Sequence, residues 1–105
     1  AGGAVFNTAI AIGRLRVDSG FFSGVSTDFL GQMLADKLLA ARVDMAATVR
    51  SGRPTTVAFV RLTDGHATYA FYDENTAGRM LTAADLPVLG AEVQALFFGG
   101  ISLIN

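Results

Sequence analysis

The chain of 105 residues has no cysteine, no tryptophan, one histidine and two prolines. Without cysteine there is neither a disulfide framework nor a thiolate metal site, and His66 alone cannot build a histidine-rich one. A reducing compartment accords with that. Charge is also scarce: 16% of the residues carry it, against about 25% in an ordinary soluble domain. The net charge is -1, and the eight basic residues are scattered rather than clustered, which argues against nucleic acid as a partner. No uncharged apolar run reaches the roughly 20 residues a membrane helix needs, and no basic segment leads into the apolar start as it does in a secretory leader. The expectation is a soluble, cytoplasmic protein with no membrane partner. The sequence has no Walker-type phosphate loop, no G-x-S-x-G and no Cys/His pair.

What the sequence does have is apolar surface. Hydrophobic residues make up 51%, and mean hydropathy is +0.46. A chain of this length suits one domain or part of one and buries about two thirds of its extended surface. This composition is more apolar than such a surface calls for. The chain is therefore expected either to oligomerise or to be a piece of a larger protein that covers these faces. The start AGGAVFN, with no Met or helix cap, and the stop at Ile104-Asn105 after the run ALFFGGISLI favour the second expectation.

The strongest local signal is TTVAFVRLTDGHATYAFYD, residues 55 to 73, which reads as two strands joined by Asp64-Gly65. A two-residue hairpin loop needs positive φ at both central positions, which Gly takes freely and Asp tolerates. The turn fixes the register, pairing Thr63 with His66, Leu62 with Ala67, Val60 with Tyr69, Ala58 with Phe71 and Thr56 with Asp73. One face then carries Ala58, Val60, Leu62, Ala67, Tyr69 and Phe71, with Asp73 at its open end. The other face, which includes Val57, Phe59 and Tyr72, is not polar either, so both sides are expected to be covered.

Ahead of the hairpin, Val5 to Leu15 has helical spacing and opens right after Gly2-Gly3. Ser19 to Val25 reads as a short strand. A second helix runs from Asp28 to about Ala41, with Phe29, Met33, Leu34, Leu38 and Leu39 as its core stripe and Ser26, Thr27 or Asp28 as its cap. Val43 to Arg50 reads as a strand, Thr82 to Asp85 as a capped helix start kept short by Pro87, and Ala95 to Ile101 as a strand buried on both faces.

Few residues point to chemistry. Gly2-Gly3 before a helix offers free N–H groups and the positive end of a dipole to a hydroxyl-rich or anionic ligand, or it is simply a turn. Asn7, one turn inside that apolar helix, reads as a buried amide whose donor and acceptor either match sugar hydroxyls or tie down the loop. Asp73 is either solvated at the sheet edge or aimed at a ligand hydroxyl. His66 flanks the turn tip and reads as exposed and inert, while Asp28, Asp36, Asp44 and Asp85 read as cap, surface and loop acids rather than as an acid/base set.

Taken together, the segments Gly2-Gly3-Ala4-Val5-Phe6-Asn7-Thr8-Ala9, Gly20 to Gly31, Arg53 to Val60 and Phe71 to Leu81 resemble the ribokinase/PfkB carbohydrate kinases, and among them the bacterial fructokinases. Arg16 and Ser26 stand where that family usually has glycine, and Val5 where it has a small residue or proline. The resemblance implies an α/β fold: part of a Rossmann-like sheet with flanking helices plus a small β-sheet lid. Residues 1–42 would belong to the kinase core, 43–73 to the lid and 74–105 to the return into the core. It further implies an ATP-dependent kinase that phosphorylates a terminal hydroxyl of a small sugar, with Mg2+ as cofactor. Gly3 and Asn7 would hold the sugar, Gly2 would permit close approach, and the inward-facing lid residues would be Ala58, Val60, Phe71 and Asp73. The hairpin register puts those four on one face independently. An acid at position 73 argues for a neutral sugar such as fructose, since a sugar acid needs a cationic partner. The catalytic base, the anion hole and the ATP and Mg2+ sites are expected outside this chain, so the 105 residues alone are expected to be inactive. The rival expectation is a non-catalytic α/β module that forms a homodimer through its apolar hairpin.

Overall fold

The computed structural model describes residues 1–103. Helix α1 (Ala4–Arg14) follows Gly3, whose φ of 111° is one that side chains rarely adopt. Its inward face is Phe6, Ala9 and Gly13. The chain then leads to strand β1 (Gly24–Ser26), helix α2 (Phe29–Ala40) and strand β2 (Val49–Ser51), with β1 and β2 paired in parallel from Gly24 opposite Val49 to Ser26 opposite Ser51. This βαβ unit and α1 enclose a core of Phe6, Ala9, Phe21, Val25, Leu38, Ala41 and Val43. Phe6 and Phe21 meet edge to face, with ring centroids 6.0 Å apart.

Both helices end in the same way. Arg16 and Arg42 take left-handed φ values of 61° and 64°. Behind them, the Val17 N–H donates to Ile12 O at 3.2 Å and the Val43 N–H to Leu38 O at 3.0 Å. This is the six-to-one bond of a Schellman ending, with arginine at the position where glycine is favoured.

Strands β3 (Val57–Thr63) and β4 (His66–Tyr72) form the antiparallel hairpin. Its register runs from Val57 opposite Tyr72 to Thr63 opposite His66, as the turn dictates, with Asp64 and Gly65 at φ 50° and 78°. The ladder stops one pair short of Thr56 and Asp73, because Thr56 turns to hydrogen-bond Thr76 instead. Both hairpin faces stand open: Phe59, Val60, Leu62, Tyr69, Phe71 and Tyr72 are all exposed.

Other expectations are corrected. The strand expected over 19–25 is confined to Gly24–Ser26 plus a single bridge between Gly20 and Asp44, and the one over 43–50 to Val49–Ser51. The Asp44 carboxylate accepts the N–H of Ala46 and Thr48 N–H turns back to Met45 O, which breaks the extended run between them. Of the expected stripe on α2, only Leu38 is buried, while Phe29, Met33 and Leu39 are exposed. The buried face is Gly31, Ala35 and Leu38, and the glycine lets the helix lie close on β1. A Cβ at Gly31 would come within 1.9 Å of Ser26 O.

No strand forms over 95–101. Leu96, Phe97, Phe98 and Ile101 are exposed, and a 3-10 turn follows over Gly100–Leu103. A strand needs a neighbour to take its N–H and C=O groups, and among the described residues none pairs with this run. Ile104, the last apolar residue of that run, lies outside the described residues. The short turn at Ala83–Asp85 forms as expected, with the Asp85 carboxylate accepting the N–H of Thr82 at 2.7 Å.

Candidate functional site

Two connectors, 52–56 and 73–77, join the hairpin to the βαβ unit, and they are bound to each other. The Ala77 N–H donates to Pro54 O at 2.9 Å. The Thr76 hydroxyl donates to Asp73 O at 2.8 Å, so the Thr56 hydroxyl must be the donor in its 2.7 Å contact with the Thr76 oxygen. Thr76 and Ala77 are buried there, and Gly24 lies so close to Ala77 that an added Cβ would fall 1.9 Å from its carbonyl oxygen. At this root opens a cleft of about 380 Å³ lined by Pro54, Thr55, Phe71, Tyr72, Asp73, Glu74 and Thr76.

One wall of the cleft is tied to α2 through Asp28. Its Oδ1 accepts the Gly31 N–H at 2.7 Å and the Thr55 hydroxyl at 2.6 Å, and its Oδ2 accepts the Thr55 N–H at 2.9 Å. The Thr55 hydroxyl, then the Gly31 N–H, hold the Asp28 carboxyl down at a pKa of about 2 against partial desolvation. Asp73 pairs with Arg79 at 3.2 Å, both side chains being nearly half exposed. The ring of Phe71 stacks on Tyr69, with centroids 5.9 Å apart and planes 10° from parallel.

The structure thus brings Phe71 and Asp73 into one cleft. Ala58 stands opposite Phe71 and Val60 opposite Tyr69, one pair farther out on the same hairpin face, and neither lines the cleft. Gly2, Gly3 and Asn7 are not in the cleft lining; they sit at the head of α1. Asn7 is exposed, which corrects the expected buried amide: Phe6 and Ala9 take the inward positions, and Asn7 falls between them on the open side. Sequence reasoning passed over Thr55 and Thr76. The signal at Thr55 is only a threonine pair beside a strand, which β propensity alone explains, and Thr76 stands singly in a polar loop with no signal of its own. Among the described residues no cluster of three or more His, Asp or Glu side chains could hold a metal ion, and no helix is long and apolar enough to cross a membrane.

A βαβ unit that carries a β-hairpin, with a cleft at the hairpin root, is an α/β architecture. Fructokinase from Xylella fastidiosa superimposes on 82% of this chain with a TM-score of 0.76 and 28% identity, and the matched part is 28% of that enzyme. A second structure of a Xylella fastidiosa fructokinase, with bound ATP, gives 0.75 at 30% identity, again over 82% of this chain and 28% of the other. In sequence, the fructokinase of Rhizobium leguminosarum bv. trifolii is 57% identical over 104 residues, 99% of this chain and 32% of that protein. Fructokinase-1 of Zea mays is 41% identical over 98% of this chain and 33% of its own length. The profile of the pfkB family carbohydrate kinases matches residues 1–103, and the chain belongs to that family. It spans about a third of the length of the curated relatives it matches.

Proposed function

We propose that these residues are the sugar-holding part of a longer fructokinase-like enzyme, which transfers the γ-phosphate of ATP to a terminal hydroxyl of a neutral sugar, fructose first among them. The observation that carries this reading is the cleft at the hairpin root, where the Asp73 carboxylate and the Phe71 ring share a wall with Thr55 and Thr76. A carboxylate accepts sugar hydroxyls, and an aromatic face covers the apolar side of the ring. In this reading 43–73 is a lid between two stretches of kinase core, 1–42 and 74–105. Gly3 and Asn7 bond sugar hydroxyls from the head of α1, with Gly2 leaving room, while Ala58, Val60 and Phe71 cover the sugar and exclude water, so that transfer outruns ATP hydrolysis. The ion pair with Arg79 does not turn this wall cationic, which suits a neutral sugar better than a sugar acid. The base, the ATP contacts and any Mg2+ site are assigned to residues beyond these 105. On that basis the 105-residue chain by itself neither turns over ATP nor binds it tightly, and the full enzyme works in the cytoplasm.

A second reading is favoured by the opposite hairpin face, where Phe59 and Tyr72 pack edge to face yet stay exposed. That face pairs two subunits, either alongside sugar binding or in place of it. Asp73→Ala and, on the opposite face, Phe59→Asp, each in the full-length protein, separate the readings. Sugar binding weakened by Asp73→Ala with an oligomer unchanged in both variants supports the kinase; an oligomer changed by Phe59→Asp with sugar binding unaltered by Asp73→Ala supports the pairing module.

A further inference from the structure

Asp28 makes more bonds than a helix cap requires. An N-cap side chain satisfies one N–H of the first turn, as Asp28 does for Gly31. The same carboxylate also takes both donors of Thr55, 27 residues away, at 2.9 Å and 2.6 Å. Its own N–H donates to the Ser26 hydroxyl at 3.0 Å, so the acid is fixed from both sides. Thr55 lines the cleft together with Phe71 and Asp73. The other leg of the hairpin is held by Thr56, Thr76 and Ala77, with Gly24 pressed on the Ala77 carbonyl. Beyond these bonds both strands are exposed along nearly their whole length, so within the described residues the hairpin's angle is set at its root. Because the N–H and the hydroxyl of one residue are engaged together, rotating Thr55 breaks both bonds at once.

We propose, resting on the kinase reading above, that Asp28 is a positioning residue for that reaction: through Thr55 it sets the angle at which Phe71 and Asp73 stand over the sugar. It touches neither sugar nor phosphate. When the tie is lost the hairpin visits wider angles, the competent fraction falls, and apparent sugar affinity falls with it. Turnover of the saturated enzyme is spared, because bound sugar holds the hairpin down.

The test uses the full-length protein and the substitutions Asp28→Asn, Thr55→Val and Thr55→Ser. Asparagine keeps an Oδ1 for the Gly31 cap but sets an NH2 against the N–H of Thr55. The KM for fructose is expected to rise about tenfold in Asp28→Asn, with kcat within about twofold and the KM for ATP unmoved. Thr55→Val gives a smaller rise, Thr55→Ser recovers most of what valine loses, and Asp28→Asn with Thr55→Val together fall short of the product of the two. Asp85→Ala, a cap lost away from the cleft, lowers Tm slightly without moving the KM for fructose. Amide exchange at residue 55, which needs no activity, is expected to quicken in Asp28→Asn. Unaltered exchange there overturns the tie. Quickened exchange with an unmoved KM, or with kcat and KM changing alike, overturns the positioning role. A wild-type protein that phosphorylates no sugar overturns the kinase reading and this role together.

Discussion

Gly31→Ala tests whether α2 lies as close to β1 as the fold requires. A Cβ built on Gly31 meets the carbonyl of Ser26: its oxygen at 1.9 Å, its carbon at 2.6 Å and its Cα at 2.9 Å. All three are main-chain atoms of a paired strand, so no side-chain rotation relieves the clash. Restoring ordinary contact means moving the first turn of α2 by about 1.5 Å. That shift stretches the 2.7 Å bond from Gly31 N–H to Asp28 and draws the acid away from Thr55. Alanine is the better helix former by about 1 kcal/mol. Against that, overpacking costs about 1–3 kcal/mol or more, and a weakened cap about 1 kcal/mol further. The clash wins, and a net loss of about 2 kcal/mol is expected. Urea unfolding of the full-length protein reads it as a lower midpoint at unchanged slope. A midpoint equal to or above that of the wild type would refute the close approach.

Acid stability should carry the signature of Asp28. Its carboxyl titrates near 2 in the fold and near 3.8 unfolded, so the unfolded chain binds the proton first as pH drops. The contribution is complete above about pH 4 and is lost as pH falls through 2. After allowance for solvent it amounts to about 1–2 kcal/mol. Asp28→Asn should flatten that part of the stability profile, and an equally steep acid slope in the variant speaks against the bonds described. Arg42→Gly should raise stability by about 0.5 kcal/mol, since left-handed backbone strain is relieved at some cost in chain entropy; a lower Tm counts against it. Leu38→Ala removes the fully buried centre of the core and should cost about 2–5 kcal/mol by urea titration, while a loss under about 1 kcal/mol would place the core elsewhere.

What could be read in the sequence was what local geometry dictates. The two-residue turn at Asp64-Gly65 fixes every pair from Thr63–His66 to Val57–Tyr72, so the common face of Ala58, Val60 and Phe71 followed from counting. The Asp28 cap and the Thr82–Asp85 turn are short-range patterns and were legible for the same reason. Choices that depend on distant partners were not. On α2 the apolar residues surround the helix, so periodicity could not show that the glycine side, rather than Phe29 and Met33, faces β1. The run at 95–101 has the composition of a buried strand, but composition cannot supply the neighbour that would bury it. Asn7 lies among apolar residues in sequence, yet it falls outside the arc that α1 buries. Thr55 meets Asp28 across 27 residues of chain, and no local spacing marks that contact.

The most direct measurement is ADP release by the purified full-length protein with ATP, in the presence and absence of fructose. Saturable, fructose-dependent release that falls when Asp73 is replaced by alanine is expected. Release that ignores every neutral sugar offered, or that Asp73→Ala leaves unchanged, would contradict the sugar-binding role given to the cleft.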